Sequence, residues 1–212
     1  MSGIRVVFFA VDSTLAAIEG IDELAAGNAE IAALTEAAMN GEVRMEAVYA
    51  RRLEIIRPSR ARIDELGRLY VERMIPDAPE VIAALQAAGV EIVVVSAGIR
   101  QAILPLAERL GIPARAVHAV ELVFDGEGRY VDFDRRSPLT RSGGKETVVM
   151  NVRSRTKGRA AFVGDGVTDL EARPAVNLFI GFGGVKARDQ VRAGADVFVE
   201  EPRLTPVLAH IL

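Results

Sequence analysis

The feature that most constrains this chain is a recurrent pairing of a short apolar run with a polar cluster. Residues 4–11 are apolar but for Arg5, rich in β-branched and aromatic side chains, and they stop at Asp12-Ser13-Thr14. A run without polar alternation is buried on both faces, which is the habit of an inner strand in a parallel sheet. The pattern returns at residues 91–95, followed by Ser96-Ala97-Gly98, and at 160–163, which end in Gly164-Asp165-Gly166. Further short strands are expected at 177–182 and 195–199. Helices are expected between them at 80–88, 101–110, 145–152 and 185–193, two of them stopped by Gly89 and Gly111. Parallel strands need crossovers, and strands alternating with helices give an α/β doubly wound parallel sheet.

One stretch breaks the alternation. From about residue 21 to 70 apolar residues recur at three- and four-residue spacing among Ala, Glu, Leu and Arg. Asn40-Gly41 and Pro58-Ser59 divide this stretch into three or so helices. A helical segment placed after the first strand implies a small cap, with residues 1–16 and 75–212 as the core and 17–74 as the cap. Residues 117–124 and 128–133 flank Asp125-Gly126, a hairpin signal.

Composition narrows the function. The 212 residues carry a formal net charge of -3, which argues against a general nucleic-acid binder but leaves room for a local basic pocket. Cysteine is absent, so a disulfide framework and a thiol nucleophile are both excluded, and a reducing cytoplasm is the expected setting. No apolar stretch reaches the roughly 18 residues a membrane span needs, and the first residues do not follow the order of a secretory leader. Nucleic acid and membrane are therefore not expected partners. Monomer and dimer both stay open.

Ligands of doubly wound sheets sit at the carboxyl ends of the strands. Four polar groups fall there: Asp12-Ser13-Thr14, Ser96-Ala97-Gly98, Lys145, and Gly164-Asp165-Gly166-Val167-Thr168-Asp169. Singly, each reads as a turn, a cap or a surface charge. Together and in this order they resemble the four motifs of the haloacid dehalogenase superfamily, whose core is Rossmann-like. Glu19-Gly20-Ile21-Asp22-Glu23-Leu24-Ala25, Arg57-Pro58-Ser59-Arg60, Ser142-Gly143-Gly144-Lys145 and Phe179-Ile180-Gly181-Phe182-Gly183-Gly184 narrow the resemblance to its phosphoserine phosphatases.

The resemblance implies hydrolysis of a small phosphomonoester, phosphoserine above all, through an aspartyl-phosphate with Mg²⁺ as cofactor. The nucleophile position is residue 10. Asp12 would be general acid and base, and its backbone carbonyl a metal ligand. Asp165 would bind the metal directly, and Asp169 would act behind it or orient Lys145. Lys145, the Ser96 hydroxyl and the backbone near Gly98 would hold the phosphoryl oxygens. Glu19 would pair with the substrate ammonium and Arg52 with its carboxylate, a group suited to a planar two-pronged donor. Met39 and Met45 would line the apolar side, though both would equally fill the cap's own core. Thr168 and Arg188 lie in segments that help close the substrate site.

The chain departs from that pattern at one decisive position. Ala10 stands where the motif has its attacking aspartate, so the chain as written is expected to be catalytically dead or very slow. The other motifs are intact, so an isolated Asp→Ala change explains the pattern more simply than general decay. Two further departures are Ala97 and Ile99 in the second motif and Met45 at a frequent Phe position, which alter pocket shape. They keep open a different small phosphomonoester, or a phosphotransferase, and Ala10 keeps open a module that binds phosphometabolites without turnover.

Overall fold

The computed structural model describes residues 3–40 and 42–212. In chain order the elements are β1 (Ile4–Phe9), α1 (Gly20–Ala25), α2 (Ala29–Met39), α3 (Met45–Ile56), α4 (Arg60–Glu72), α5 (Ala78–Ala87), β2 (Glu91–Ile99), α6 (Arg100–Arg109) and β3 (Val117–Val120). There follow β4 (Leu122–Phe124), β5 (Tyr130–Phe133), α7 (Gly144–Arg153), β6 (Arg159–Gly164), α8 (Val167–Leu170), β7 (Leu178–Phe182), α9 (Asp189–Gly194), β8 (Val197–Val199) and α10 (Thr205–Ile211).

Among the described residues six strands form one parallel sheet in the order β3-β2-β1-β6-β7-β8. The order runs outward in both directions from β1, so the crevice of this doubly wound sheet opens beyond the carboxyl end of β1. Val7, Phe8 and Phe9 of β1 are wholly buried. Phe8, Phe162 and Phe179 stack across β1, β6 and β7 with centroids 6.3 and 5.7 Å apart, which pins the register of the central strands.

The helices α1–α4 form an insert between β1 and α5. Its two linkers pass side by side: the Ala17 amide donates to the Arg73 carbonyl at 2.8 Å and the Ile75 amide to the Leu15 carbonyl at 2.9 Å. Helix α4 lies against α6 where Gly67 faces Pro105; a Cβ on Gly67 would sit 3.1 Å from the proline ring. The antiparallel hairpin β4–β5 touches the insert from the other side. There the Arg60 amide donates to the Gly128 carbonyl at 2.9 Å and the Arg60 guanidinium lies 4.8 Å from the Phe124 ring centroid.

The sheet and the hairpin follow the sequence pattern, and five details depart from it. Strand β1 ends at Phe9, not Val11, because the Val11 carbonyl turns back to accept from the amides of Thr14, Leu15 and Ala16. Among the described residues the insert holds four helices: Ala26 and Gly27 adopt positive φ of 50° and 83°, and the Asn28 side chain caps the next helix. Strand β2 runs on through Ser96-Ala97-Gly98 to Ile99 with a register shift against β3. The expected 117–124 strand splits at Glu121, where the Gln101 side chain takes both backbone groups of Leu122 and draws it off the sheet. The expected 185–193 helix is shorter, running from Asp189 to Gly194, and the preceding Gly183-Gly184 turn packs tightly: a Cβ on Gly184 would meet the Glu201 carbonyl at 2.4 Å. Helices α8 and α10 had no distinct signal in the pattern.

Candidate active site

The turn after β1 brings three polar side chains to the crevice. Ser13 sits at φ 51°, a left-handed conformation that a non-glycine residue adopts at some cost. Its amide donates to the Ile18 carbonyl at 3.1 Å, closing the loop, and its hydroxyl donates to Glu19 Oε1 at 2.6 Å. Thr14 Oγ1 donates to Asp165 Oδ1 at 3.2 Å, tying this turn to the end of β6. Asp12 Oδ1 accepts the Gly20 amide at 2.7 Å and the Tyr70 hydroxyl at 2.6 Å. Burial first and the Asp12 charge second hold the Tyr70 phenol well above its ordinary pKa, so it stays a donor.

The floor of the crevice is ionic and buried. Lys145, in the first turn of α7, reaches Asp169 Oδ1 with its ammonium at 2.5 Å. Asp169 Oδ2 accepts the amides of Asp165 and Gly166 at 3.1 and 2.9 Å. Burial pulls the Lys145 ammonium down, but Asp169, with Asp165 and Asp12 behind it, outweighs that and leaves the pKa raised. Asp165 is pushed well above the usual carboxylate range, by burial first and then by Glu19 and Asp169. Its Oδ2 accepts no hydrogen bond, and the nearest cationic atom is Arg188 Nε at 3.7 Å. Among the described residues no three His, Cys, Asp or Glu side chains converge as a metal-holding group.

Above this floor the insert supplies a second set of charges. Glu19 is 8% exposed and its carboxyl is pushed up to about 7, by burial and by Asp12 against the pull of Ser13, Lys186 and Arg188. Arg52 is buried on α3, donating to Thr35 Oγ1 at 3.2 Å and to Met45 Sδ at 3.4 Å, while its Nε has no partner. Burial lowers its pKa, but a guanidinium stays charged in such surroundings. Thr35 in turn donates to the Ile31 carbonyl, so its oxygen is aimed at Arg52.

One cleft, with an enclosed volume of about 60 Å³, is lined by Ala10, Asp12, Glu19, Met45, Arg52, Ser96, Gly98, Lys145, Asp165, Thr168 and Asp169. The structure therefore brings together all but two of the residues singled out from the sequence. The side chain of Met39 lies outside the described residues. Arg188 does not line this cleft: it borders the adjoining one, its Nη1 held by Glu36 and Asn40 of the insert at 2.7 and 2.6 Å. Ser96 Oγ accepts the Gly98 amide at 2.9 Å, so the two groups expected to face a phosphate are folded onto each other. The Ala10 methyl lies on the wall of the same cleft and offers no oxygen.

Sequence reasoning missed Tyr70, Tyr49 and Thr35, all of which line the cleft. The signal was available in one form: each carries a hydroxyl on the buried stripe of its helix, as Tyr70 does in register with Ile63 and Leu66. A polar atom so placed needs a partner. Tyr49 finds it in the Ala97 carbonyl at 3.0 Å.

The family profile described as haloacid dehalogenase-like hydrolase matches residues 7–172. The chain is 40% identical over 203 residues to the chloroplastic phosphoserine phosphatase of Arabidopsis thaliana, covering 91% of this chain and 68% of that protein. It is 36% identical over 199 residues to human phosphoserine phosphatase, covering 92% and 88%. A phosphoserine phosphohydrolase-like protein from Francisella tularensis superimposes with a TM-score of 0.88 at 24% identity over 99% of this chain and all of that one, which speaks for the fold. The chain belongs to the haloacid dehalogenase-like hydrolases and, within them, to the phosphoserine phosphatase family.

Proposed function

We propose that this site is built to hydrolyse L-phosphoserine to serine and phosphate, and that Ala10 leaves the present chain able to bind the substrate but not to turn it over. The observation that carries the reading is the convergence of a phosphate-facing set (Ser96, Gly98, Lys145) with a buried acid and a buried guanidinium (Glu19, Arg52) in one cleft. Phosphoserine offers a matching phosphate, ammonium and carboxylate. In this reading residues 17–74 act as the cap that selects the substrate, with Met45 on the apolar wall. Thr168 would lie beside the phosphate, and Arg188, held by Glu36 and Asn40 of α2 and its end, would help close the cleft from outside.

With an aspartate at position 10, its carboxylate oxygen would form a bond to phosphorus as the bond to the serine oxygen breaks. Asp12 would give its proton to the departing alkoxide. Asp12 would then take a proton from water as the water oxygen bonds to phosphorus, releasing phosphate and the free carboxylate. Lys145 and the Ser96 hydroxyl would hold the phosphoryl oxygens throughout.

The donors fit a hard divalent cation such as Mg²⁺. Asp165 Oδ2 is buried without a hydrogen bond, and a carboxylate oxygen so placed would suit an oxygen-seeking cation. Asp165 and the Asp12 carbonyl would hold the cation, with Asp169 behind them. When bound it would offset phosphate charge. Ala10 removes one carboxylate donor, so affinity is expected to be weaker than in an Ala10→Asp variant. A cysteine-free chain suits a reducing cytoplasm, and no helix among the described residues is long and apolar enough to cross a membrane.

The test is phosphate release. Ala10→Asp with Mg²⁺ is expected to hydrolyse phosphoserine, while the present chain binds it calorimetrically without release. A variant inert on phosphoserine but active on other phosphomonoesters would move the substrate, and one inert on all would sink the reading. A second reading, a module that binds phosphometabolites without catalysis, is favoured by the Ala10 methyl; a catalytically competent Ala10→Asp variant would exclude it for the parent scaffold.

A further inference from the structure

We propose that Tyr70 is a positioning residue for Asp12, so that the proton-transfer carboxylate is aimed only when the helical insert is seated. This rests on the reading of Asp12 as general acid and base.

Asp12 belongs to the sheet side of the crevice, yet both hydrogen bonds to its Oδ1 come from the insert. The Tyr70 hydroxyl, on α4, donates at 2.6 Å, and the Gly20 amide, at the start of α1, donates at 2.7 Å. Two convergent donors fix the plane of a carboxylate and leave its other oxygen to face the remaining open side. That side is the phosphate loop: a Cβ placed on Gly98 would lie 3.0 Å from Ser96 Oγ and 3.2 Å from Asp12 Oδ2. The Oδ2 atom therefore lies beside Gly98 and the Ser96 hydroxyl, the groups that the proposed function assigns to the phosphoryl oxygens.

The surroundings allow Tyr70 little other use. Its side chain is 1% exposed, with Ile63 and Leu66 on the same buried stripe of α4. Gly20 makes room for it, since a Cβ there would fall 2.0 Å from the phenol oxygen. A tyrosine this deep needs a partner for its hydroxyl, and the partner here is the one carboxylate assigned to move a proton. Helix α4 packs on α6 and carries the linker back to the core, so a displacement of the insert withdraws both donors at once.

The experiment separates aiming from folding by the demand of the leaving group. Serine leaves as a basic alkoxide and needs the Asp12 proton; p-nitrophenolate is stable as an anion and does not. In the Ala10→Asp background, Tyr70→Phe is expected to lower kcat/KM for phosphoserine about 10- to 100-fold, part of the range general acid–base catalysis supplies. KM for phosphoserine and kcat/KM for p-nitrophenyl phosphate should stay within about threefold, below the scale of that contribution. A loss shared equally by both substrates marks a structural role and overturns the proposal, as does no loss at all. If Ala10→Asp is inert on both substrates, the functional reading fails, and the geometry is judged in the present chain. There NMR should show an exchange-protected Tyr70 hydroxyl proton that vanishes in Asp12→Ala. A parent without that resonance, or one unchanged by Asp12→Ala, overturns the contact.

Discussion

Replacing Lys145 with Met should destabilise the protein far more than the loss of a surface charge. The Lys145 ammonium sits 2.5 Å from Asp169 Oδ1, and the Asp169 side chain is fully enclosed. At that distance the raw attraction is about 7 kcal/mol for an effective dielectric near 20, and the desolvation of two ions opposes it. Removing one partner of a buried pair costs about 3–5 kcal/mol, because the other charge is stranded. Asp169 Oδ2 keeps its two amide donors, which places Lys145→Met near the lower end, at about 3 kcal/mol. For a chain of this size that lowers the thermal midpoint by about 6–12 °C. In urea, with a slope of about 2–3 kcal/mol/M, the midpoint should fall by about 1–1.5 M. Asp169→Asn should cost a similar amount, and the double variant should cost less than the two singles summed. Single costs below about 1 kcal/mol, or additivity within about 0.5 kcal/mol, would show that water reaches the pair and that Asp169 does not hold Lys145.

Three further outcomes are expected. Glu19 binds a proton more tightly folded than unfolded, with a carboxyl near 7 against 4.5. Between those values the folded state carries more protons, so stability falls as pH rises. Glu19→Gln should remove that slope, gaining on the parent between pH 5 and 7.5 in thermal melts. Thr35→Val takes the oxygen from Arg52 Nη1 and should weaken calorimetric binding of phosphoserine by about tenfold, the scale of one charge-assisted hydrogen bond. Inorganic phosphate, which lacks the carboxylate, should bind unchanged. Gly144→Ala would put a Cβ 2.0 Å from the Pro138 carbonyl, and the displaced start of α7 should cost about 3 kcal/mol in urea unfolding, the upper part of the overpacking range.

What could be read from the residues was what a strand's period and a strand's end dictate. Val7, Phe8 and Phe9 declared a two-faced burial, and the polar groups following β1, the late part of β2, and the end of β6 declared the crevice. What could not be read were side chains acting on the backbone at a distance. Gln101 splitting the 117–124 strand is a tertiary event with no local trace. So is the capture of Arg188 by Glu36 and Asn40, residues brought close only by the seating of the insert. The break after Ala25 was missed for another reason. Ala26 takes the left-handed conformation that its neighbour Gly27 would be expected to hold alone.

The paired linkers have a consequence for how such a protein can be rebuilt. Leu15 and Ala17 run beside Ile75 and Arg73, joined by two backbone hydrogen bonds. The core therefore meets the insert at a junction whose two ends already touch. The entropic penalty of closing a loop grows only with the logarithm of its length, so a longer, shorter or foreign bundle spliced at these bonds leaves the sheet's own closure almost untouched. Arg52 and Thr35 lie on one side of that seam, and Ser96, Lys145 and Asp165 on the other. In the proposed reading the groups for the organic moiety travel with the bundle, and the phosphate-facing groups stay with the sheet. A transplanted bundle would therefore redirect the first, and keep the second only if it brings its own donors to Asp12 in place of Tyr70 and Gly20.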